Sequence, residues 1–290
     1  MAISATLVKE LRERTGLGMM LCKKALEESA GDMEKAIENL RKQGEATLAK
    51  RAGKEAKEGT IAVQSSAAAT AMVEVNAETD FVARNEDFTA FVAALTPLVL
   101  ARQPADMAAA LKLTSPAFGG RTVEERLLEL TAKIGERISF RRFHIDRPAA
   151  DERVFTYVHG GGRIGIVLVL KSTNPAVLAS EAGLALGKDC AMQVAAANPM
   201  AVSREAIPAD VVAKEREIYF TQAQNSGKPE KVWDRIVEGK LAKFYEQAVI
   251  TEQPYIKEPA IKVAARIKQV EGDSGARISV RAFVRYELGG

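Results

Sequence analysis

Apolar residues along this chain change their spacing near residue 60. Before that point they recur at helical intervals. Ser4 or Thr6 can cap a first helix whose Leu7, Val8 and Leu11 share one face. Thr15-Gly16-Leu17-Gly18 breaks that helix, because two glycines so close together favour a turn. A second helix starts at about Met19, with Met20, Ala25 and Leu26 at helical spacing. Gly31-Asp32 closes it and caps a third, in which Met33, Ala36, Ile37 and Leu40 repeat at i, i+3, i+4 and i+7 until Gly44. Adjacent Met19 and Met20 cannot point the same way, so at least one leaves the bundle core.

Residues Glu45 to Gly59, EATLAKRAGKEAKEG, carry few large apolar side chains and read as a tether or small helix. Beyond them the pattern alternates between strand and helix. Thr60 to Val63 and Ala71 to Val75 predict a strand pair, Glu86 to Leu100 an apolar helix, and Val123 to Gly135 an amphipathic helix leading into a strand from Arg137 to Phe143. The same order then recurs. Strands fall at Arg153 to Val158 and Ile164 to Leu170, an Ala-rich helix at Ala176 to Ala197, and a last strand at Arg277 to Tyr286. Arg137 to Phe143 (RISFRRF) matches Arg277 to Phe283 (RISVRAF) at five of seven positions, which favours internal duplication. Ala209 to Asn225 and Glu230 to Gln247 predict antiparallel helices joined by Ser226-Gly227-Lys228-Pro229. The fold class is α+β: a three-helix bundle over 1–54, a core subdomain over 55–147, and a related one over 148–290 that includes a helical hairpin at about 209–247.

Charge adds little specificity. Basic residues number 41 against 38 acidic, giving a net charge of +3, and aromatics are 6%, which disfavours a dedicated nucleic-acid binder. The apolar runs stop short of the roughly 18 residues of a membrane span, and the N-terminus MAISATLVKELRER is charged where a signal peptide is apolar. A cytoplasmic protein with no membrane contact is expected.

Enzymatic chemistry finds little material. Two cysteines, Cys22 and Cys190, and two histidines, His144 and His159, are far apart, so no metal, cofactor or catalytic residue is expected. His159-Gly160-Gly161-Gly162-Arg163-Ile164-Gly165 lacks phosphate-loop spacing and reads as a flexible hairpin turn. Asp106, Asp146 and Asp151 read as solvated loop acids.

One segment is specific. Asn76-Ala77-Glu78-Thr79-Asp80-Phe81-Val82-Ala83-Arg84-Asn85 follows a strand and precedes a helix that Asn85 can cap. It closely resembles the TDFV signature of the elongation factor Ts family. Residues Leu7 to Lys24 resemble that family's N-terminal module, which implies a ubiquitin-associated-like bundle. Lys133-Ile134-Gly135-Glu136, the His159 hairpin, Gly227-Lys228-Pro229, Val237-Glu238-Gly239-Lys240 and Glu252-Gln253-Pro254-Tyr255 resemble its later motifs in the same order.

The resemblance implies a guanine nucleotide exchange factor that binds elongation factor Tu, a GTPase, and releases its GDP. It implies that Thr79, Asp80, Phe81 and Val82 disturb the partner's Mg²⁺ and phosphate site. It further implies partner contacts at Arg12, Met19, Met20, Lys23, Ile134, Gly135, His159 and Ile256, and allows a homodimer or a 2:2 complex. Two departures stand out: the chain ends at Gly290 without a further C-terminal helix, and Gln193 stands where some members have histidine. The alternatives are a ubiquitin-associated-type protein-binding module and a ribosome-associated or RNA-binding scaffold.

Overall fold

A computed structural model describes residues 3–15, 18–40, 42 and 56–290, which form two compact units of mixed helix and strand. The first takes its described residues from 1–145, 160–163 and 286–290, and the second from 146–159 and 164–285. The expected break at Gly16-Leu17, the stop at Gly44 and most of the tether lie outside the described residues. The class is α+β, with a three-helix bundle at the start.

Helices α1 (Ala5–Thr15), α2 (Met19–Glu28) and α3 (residues 33–40) make up that bundle. The Ser4 hydroxyl accepts from the Leu7 N–H at 3.2 Å, and the Asp32 carboxylate accepts from the Lys35 N–H at 3.0 Å. Each cap satisfies an amide that the helix itself leaves unpaired. The core contains Val8, Leu11, Cys22, Ala25, Leu26, Ala36 and Leu40. Met20 does not share the α2 core face, contrary to its sequence spacing. The packed stripe is Cys22, Ala25 and Leu26, and Met20 points about 200° around the helix from Cys22.

The rest of the first unit is a three-stranded sheet covered by helices. Strands β1 (Glu58–Ser65) and β2 (Thr70–Ala77) pair antiparallel, and β3 (Ser139–Asp146) completes the order β1-β2-β3. Glu58 and Gly59, expected at the end of the tether, therefore open a strand. Between β2 and β3 lie α4 (Asp80–Ala83), α5 (Glu86–Arg102), α6 (Met107–Leu111) and α7 (Val123–Ile134). Asn85 caps α5 through the Asp87 N–H at 2.9 Å, as its sequence position predicts. Asp106 is a cap too, accepting from the Ala109 N–H at 2.8 Å.

Strand β2, the central strand, is buried on both faces. Val73, Val75 and Ala77 face the core with Phe88, Phe91, Leu95 and Leu130. Glu74 and Asn76 alternate onto the other face and are also buried. A buried carboxylate is tolerated only when paired. Glu74 accepts from Arg142 Nε at 2.6 Å and from the Asn76 amide at 3.1 Å, and the Arg142 guanidinium stacks 4.0 Å from the Tyr286 ring centroid.

The second unit repeats the arrangement. Strands β4 (Glu152–His159) and β5 (Ile164–Ser172) form an antiparallel hairpin, and β8 (Ile278–Glu287) completes the order β4-β5-β8. In each sheet the last strand joins the middle one, and the duplicated stretch buries equivalent residues: Ile138 and Phe140 in one, Ile278 and Val280 in the other. The Ala-rich region is two helices, α8 (Pro175–Ala179) and α9 (Glu181–Ala197), where the sequence suggests one. Ser180 makes the break. It is extended at φ −68° and ψ 163°, and its hydroxyl accepts from the Gly183 N–H to start the second helix.

Helix α9 lies close against β4: a Cβ at Gly187 would meet the Phe155 ring at 2.3 Å. Cys190 is in this core, where burial pushes its thiol up to about 12. Asp146 is no solvated acid. It is 7% exposed and accepts two 2.8 Å bonds from Arg281, since a strand end under a guanidinium gives the carboxylate a partner.

Helices α10 (Ala209–Gln224) and α11 (Trp233–Ala248) form the hairpin, closed on Ala223, Val237 and Leu241. Strands β6 (Pro254–Tyr255) and β7 (Glu258–Lys262) and helix α12 (Val263–Ser274) lead to β8. Among the described residues no helix is long and apolar enough to cross a membrane.

Replacing Arg142 with Met removes the closer cation from the buried Glu74 carboxylate and leaves it Arg141 at 4.0 Å. Urea unfolding should show a loss of up to about 3 kcal/mol, the scale of a broken buried pair.

Candidate protein-binding site

Strand β2 delivers the chain into the Glu78–Val82 turn, and the turn is held from outside. The Thr79 N–H donates to the Glu136 carboxylate at 3.1 Å, and the Thr79 hydroxyl donates to the same carboxylate at 2.9 Å. The hydroxyl also accepts from the Val82 N–H at 3.4 Å, so Thr79 caps α4 while being clasped itself. In exchange the Arg137 N–H donates to Glu78 Oε1 at 2.8 Å.

This clasp sets two neighbouring side chains in opposite directions. Val82 is 7% exposed and anchors the turn in the core, whereas Phe81 is 81% exposed. An aromatic side chain this open is uncommon in a soluble fold, where such area is usually buried. Asp80 beside it, half-buried, pairs with the exposed Arg84 at 3.0 Å.

Ile134 and Gly135 immediately precede Glu136, so the clasp brings them to the turn. Gly135 ends α7 with a left-handed φ of 81°, and its N–H returns to the Thr131 carbonyl at 2.9 Å. Six of the sequence-proposed residues, Thr79 to Val82 with Ile134 and Gly135, are thus gathered at one end of the first unit.

Four more line one groove on the bundle. Arg12, Met19, Met20 and Lys23 surround a space of about 600 Å³, together with Val8 and Lys9. Met19 is 56% and Met20 75% exposed. Two thioethers give an adaptable apolar surface, and three cations rim it.

The second unit carries the other two. His159 ends β4, exposed, with Nδ1 3.2 Å from the Tyr157 hydroxyl. Ile256 is 38% exposed on the turn between β6 and β7. Its N–H donates to Gln193 Oε1 at 2.8 Å, and the preceding Tyr255 hydroxyl donates to Asp189. Burial, then the Asp189 carboxylate, push the Tyr255 hydroxyl well above its ordinary value, so it remains a donor.

Glu136, Asp189 and Gln193 escaped the sequence reading as functional supports. Glu136 lies in a noted motif, yet nothing local shows that its carboxylate reaches a residue 57 positions earlier. Among the described residues no group of three or more His, Cys, Asp or Glu side chains is arranged to hold a metal ion.

Known proteins match over the whole length. A family model described as elongation factor Ts covers residues 78–290, beginning at the clasped turn. The elongation factor Ts of Chlorobium luteolum is 47% identical over 291 residues, spanning 99% of each chain. That of Prosthecochloris aestuarii is 44% identical over 290 residues, again 99% of each. A third, from Chloroherpeton thalassium, is 44% identical over 99% of this chain and 98% of its own length. The class is therefore that of translation elongation factors with an exchange-factor role. Within that class, the chain belongs to the elongation factor Ts family.

Replacing Glu136 with Ala removes both acceptors from Thr79. Hydrogen exchange at the Thr79 amide should accelerate roughly 10- to 100-fold, as expected for loss of charge-assisted bonds, while the Val73 amide in β2 keeps its rate.

Proposed function

We propose that this chain binds elongation factor Tu in its GDP form and releases the GDP by disturbing the partner's Mg²⁺ and phosphate site. The reading is supported by membership of the elongation factor Ts family and rests above all on the 81% exposure of Phe81 on a clasped turn. Phe81 enters the partner as a wedge, Asp80 competes for donors near the ion, and Thr79 and Val82 hold the turn. Arg12, Met19, Met20 and Lys23 grip the nucleotide-binding domain through the bundle groove. Ile134, Gly135, His159 and Ile256 add contacts from the two units.

Magnitudes favour the wedge. A Phe side chain can bury about 150–250 Å². At about 25 cal/mol per Å² this contributes at most about 4–6 kcal/mol. Weakening a nucleotide's affinity a thousandfold requires about 4 kcal/mol of coupling. One aromatic residue can therefore supply most of what is needed. Asp80 is available for the same purpose, because a surface ion pair such as Asp80–Arg84 is worth only about 0–1 kcal/mol.

Mg²⁺ bridges phosphate oxygens and retains water in its shell, so a carboxylate that diverts a liganding group loosens the nucleotide without covalent chemistry. Coupling is reciprocal: a factor that weakens GDP must itself be weakened by GDP. GTP entering the emptied site displaces it in the same way.

Stopped-flow release of a fluorescent GDP from elongation factor Tu tests the reading. The Asp80→Ala, Phe81→Ala double variant should keep its circular dichroism and melting temperature, since neither side chain is in the core, and should slow stimulated release roughly a hundredfold. Unchanged release would refute the wedge.

A further inference from the structure

Ile256 sits on a turn of only two residues between strands β6 and β7, and β6 itself is two residues long. So short a ladder gives the turn little rigidity. Helix α9 supplies what is missing. Asp189 and Gln193, four residues apart, lie on one face of that helix. They catch consecutive residues of the turn, Asp189 the Tyr255 hydroxyl and Gln193 the Ile256 N–H. Tyr255 is 4% exposed and Gln193 3%, so both anchors are out of water, while Ile256 points outward at 38%.

The amide chain behind this anchor has only one consistent polarity. Gln193 Nε2 donates to Gln253 Oε1 at 3.0 Å, and Gln253 Nε2 donates to the Gln247 carbonyl at 2.7 Å. At one end stands a backbone N–H, which can only donate, and at the other a backbone carbonyl, which can only accept. Each intervening side chain must therefore present an acceptor on one side and a donor on the other. Glutamine does so, and a methyl-bearing or singly functional side chain would leave a buried group unsatisfied.

We infer that Gln193 is a positioning residue for nucleotide exchange, fixing the turn that presents Ile256 to the GTPase partner. The inference rests on the proposed function, and it adds a role for a buried residue. Without the amide, Ile256 becomes a mobile side chain whose ordering must accompany binding, and affinity falls.

The test measures the affinity of full-length variants for elongation factor Tu–GDP, from the concentration dependence of fluorescent GDP release. Ile256→Ala and Gln193→Leu should each weaken apparent affinity roughly tenfold. The double variant should be no weaker than either alone, because the second change removes a contact the first has already lost. Gln193→His supplies the rescue. A neutral imidazole offers one acceptor and one donor, so affinity should match that of glutamine at pH 8. Once protonated, the ring carries two donors and opposes the Ile256 N–H. Burial and the facing N–H both disfavour the charged ring, so the affinity of this variant should fall only below the ordinary histidine range, whereas glutamine, which does not titrate, shows no such step.

The inference is overturned if Gln193→Leu lowers melting temperature but leaves affinity unchanged, or if its effect adds fully to that of Ile256→Ala. Unchanged affinity in Ile256→Ala alone removes the Ile256 contact and this inference with it, while the Phe81 wedge still stands on its own variants.

Discussion

The bond between Thr79 and Glu136 is the constraint on which the rest depends. A four-residue helix cannot hold itself in place, since helix nucleation fixes several residues for a single hydrogen bond. A phenylalanine displayed on such a turn would fold back on neighbouring apolar surface unless the backbone were fixed. Glu136 fixes it with one carboxylate that takes both the N–H and the hydroxyl of Thr79, and that hydroxyl in turn caps α4. Val82 then locks the other side of the turn into the core. Rigidity comes from the scaffold, which leaves the aromatic side chain exposed. On the proposed reading, binding energy would otherwise go into ordering the wedge.

The second unit solves the same problem by different chemistry. There the Asp189 carboxylate takes the Tyr255 hydroxyl, and a neutral amide takes the backbone: Gln193 accepts the Ile256 N–H, as Glu136 accepts that of Thr79. A carboxylate suits the half-buried Thr79 turn, where solvent eases its charge. An amide suits the buried site beside Gln253, where an unpaired charge would be costly. The two units share strand order and buried strand positions, so one architecture supports two presentation turns with separate anchors.

Much of this was legible in the sequence, and what escaped has a physical cause. Helical spacing in Leu7 to Leu40 and alternation in the strands follow from local geometry, and local geometry is what a sequence displays. Asn85 and Asp32 announced their caps for the same reason. Errors have two sources. Ser180 splits an Ala-rich run through a local cap on the Gly183 N–H that the surrounding helix formers mask, and elsewhere tertiary partners decide. Asp146 reads locally as a surface acid because its partner, Arg281, lies 135 residues away. The candidate site divides similarly. Asp80 and Phe81 stood out through resemblance and Met19 with Met20 through adjacency, whereas Glu136, Asp189 and Gln193 matter through long-range bonds that no local pattern encodes.

The central claim is that Phe81 and a guanine nucleotide compete for one place on the partner. A photo-crosslinking phenylalanine analogue at position 81 tests it most directly, with the products on elongation factor Tu mapped by mass spectrometry. The account predicts adducts on the phosphate-binding loop and the Mg²⁺ site, abolished by saturating GDP with Mg²⁺. Adducts elsewhere on the partner, or a yield indifferent to GDP, would contradict it.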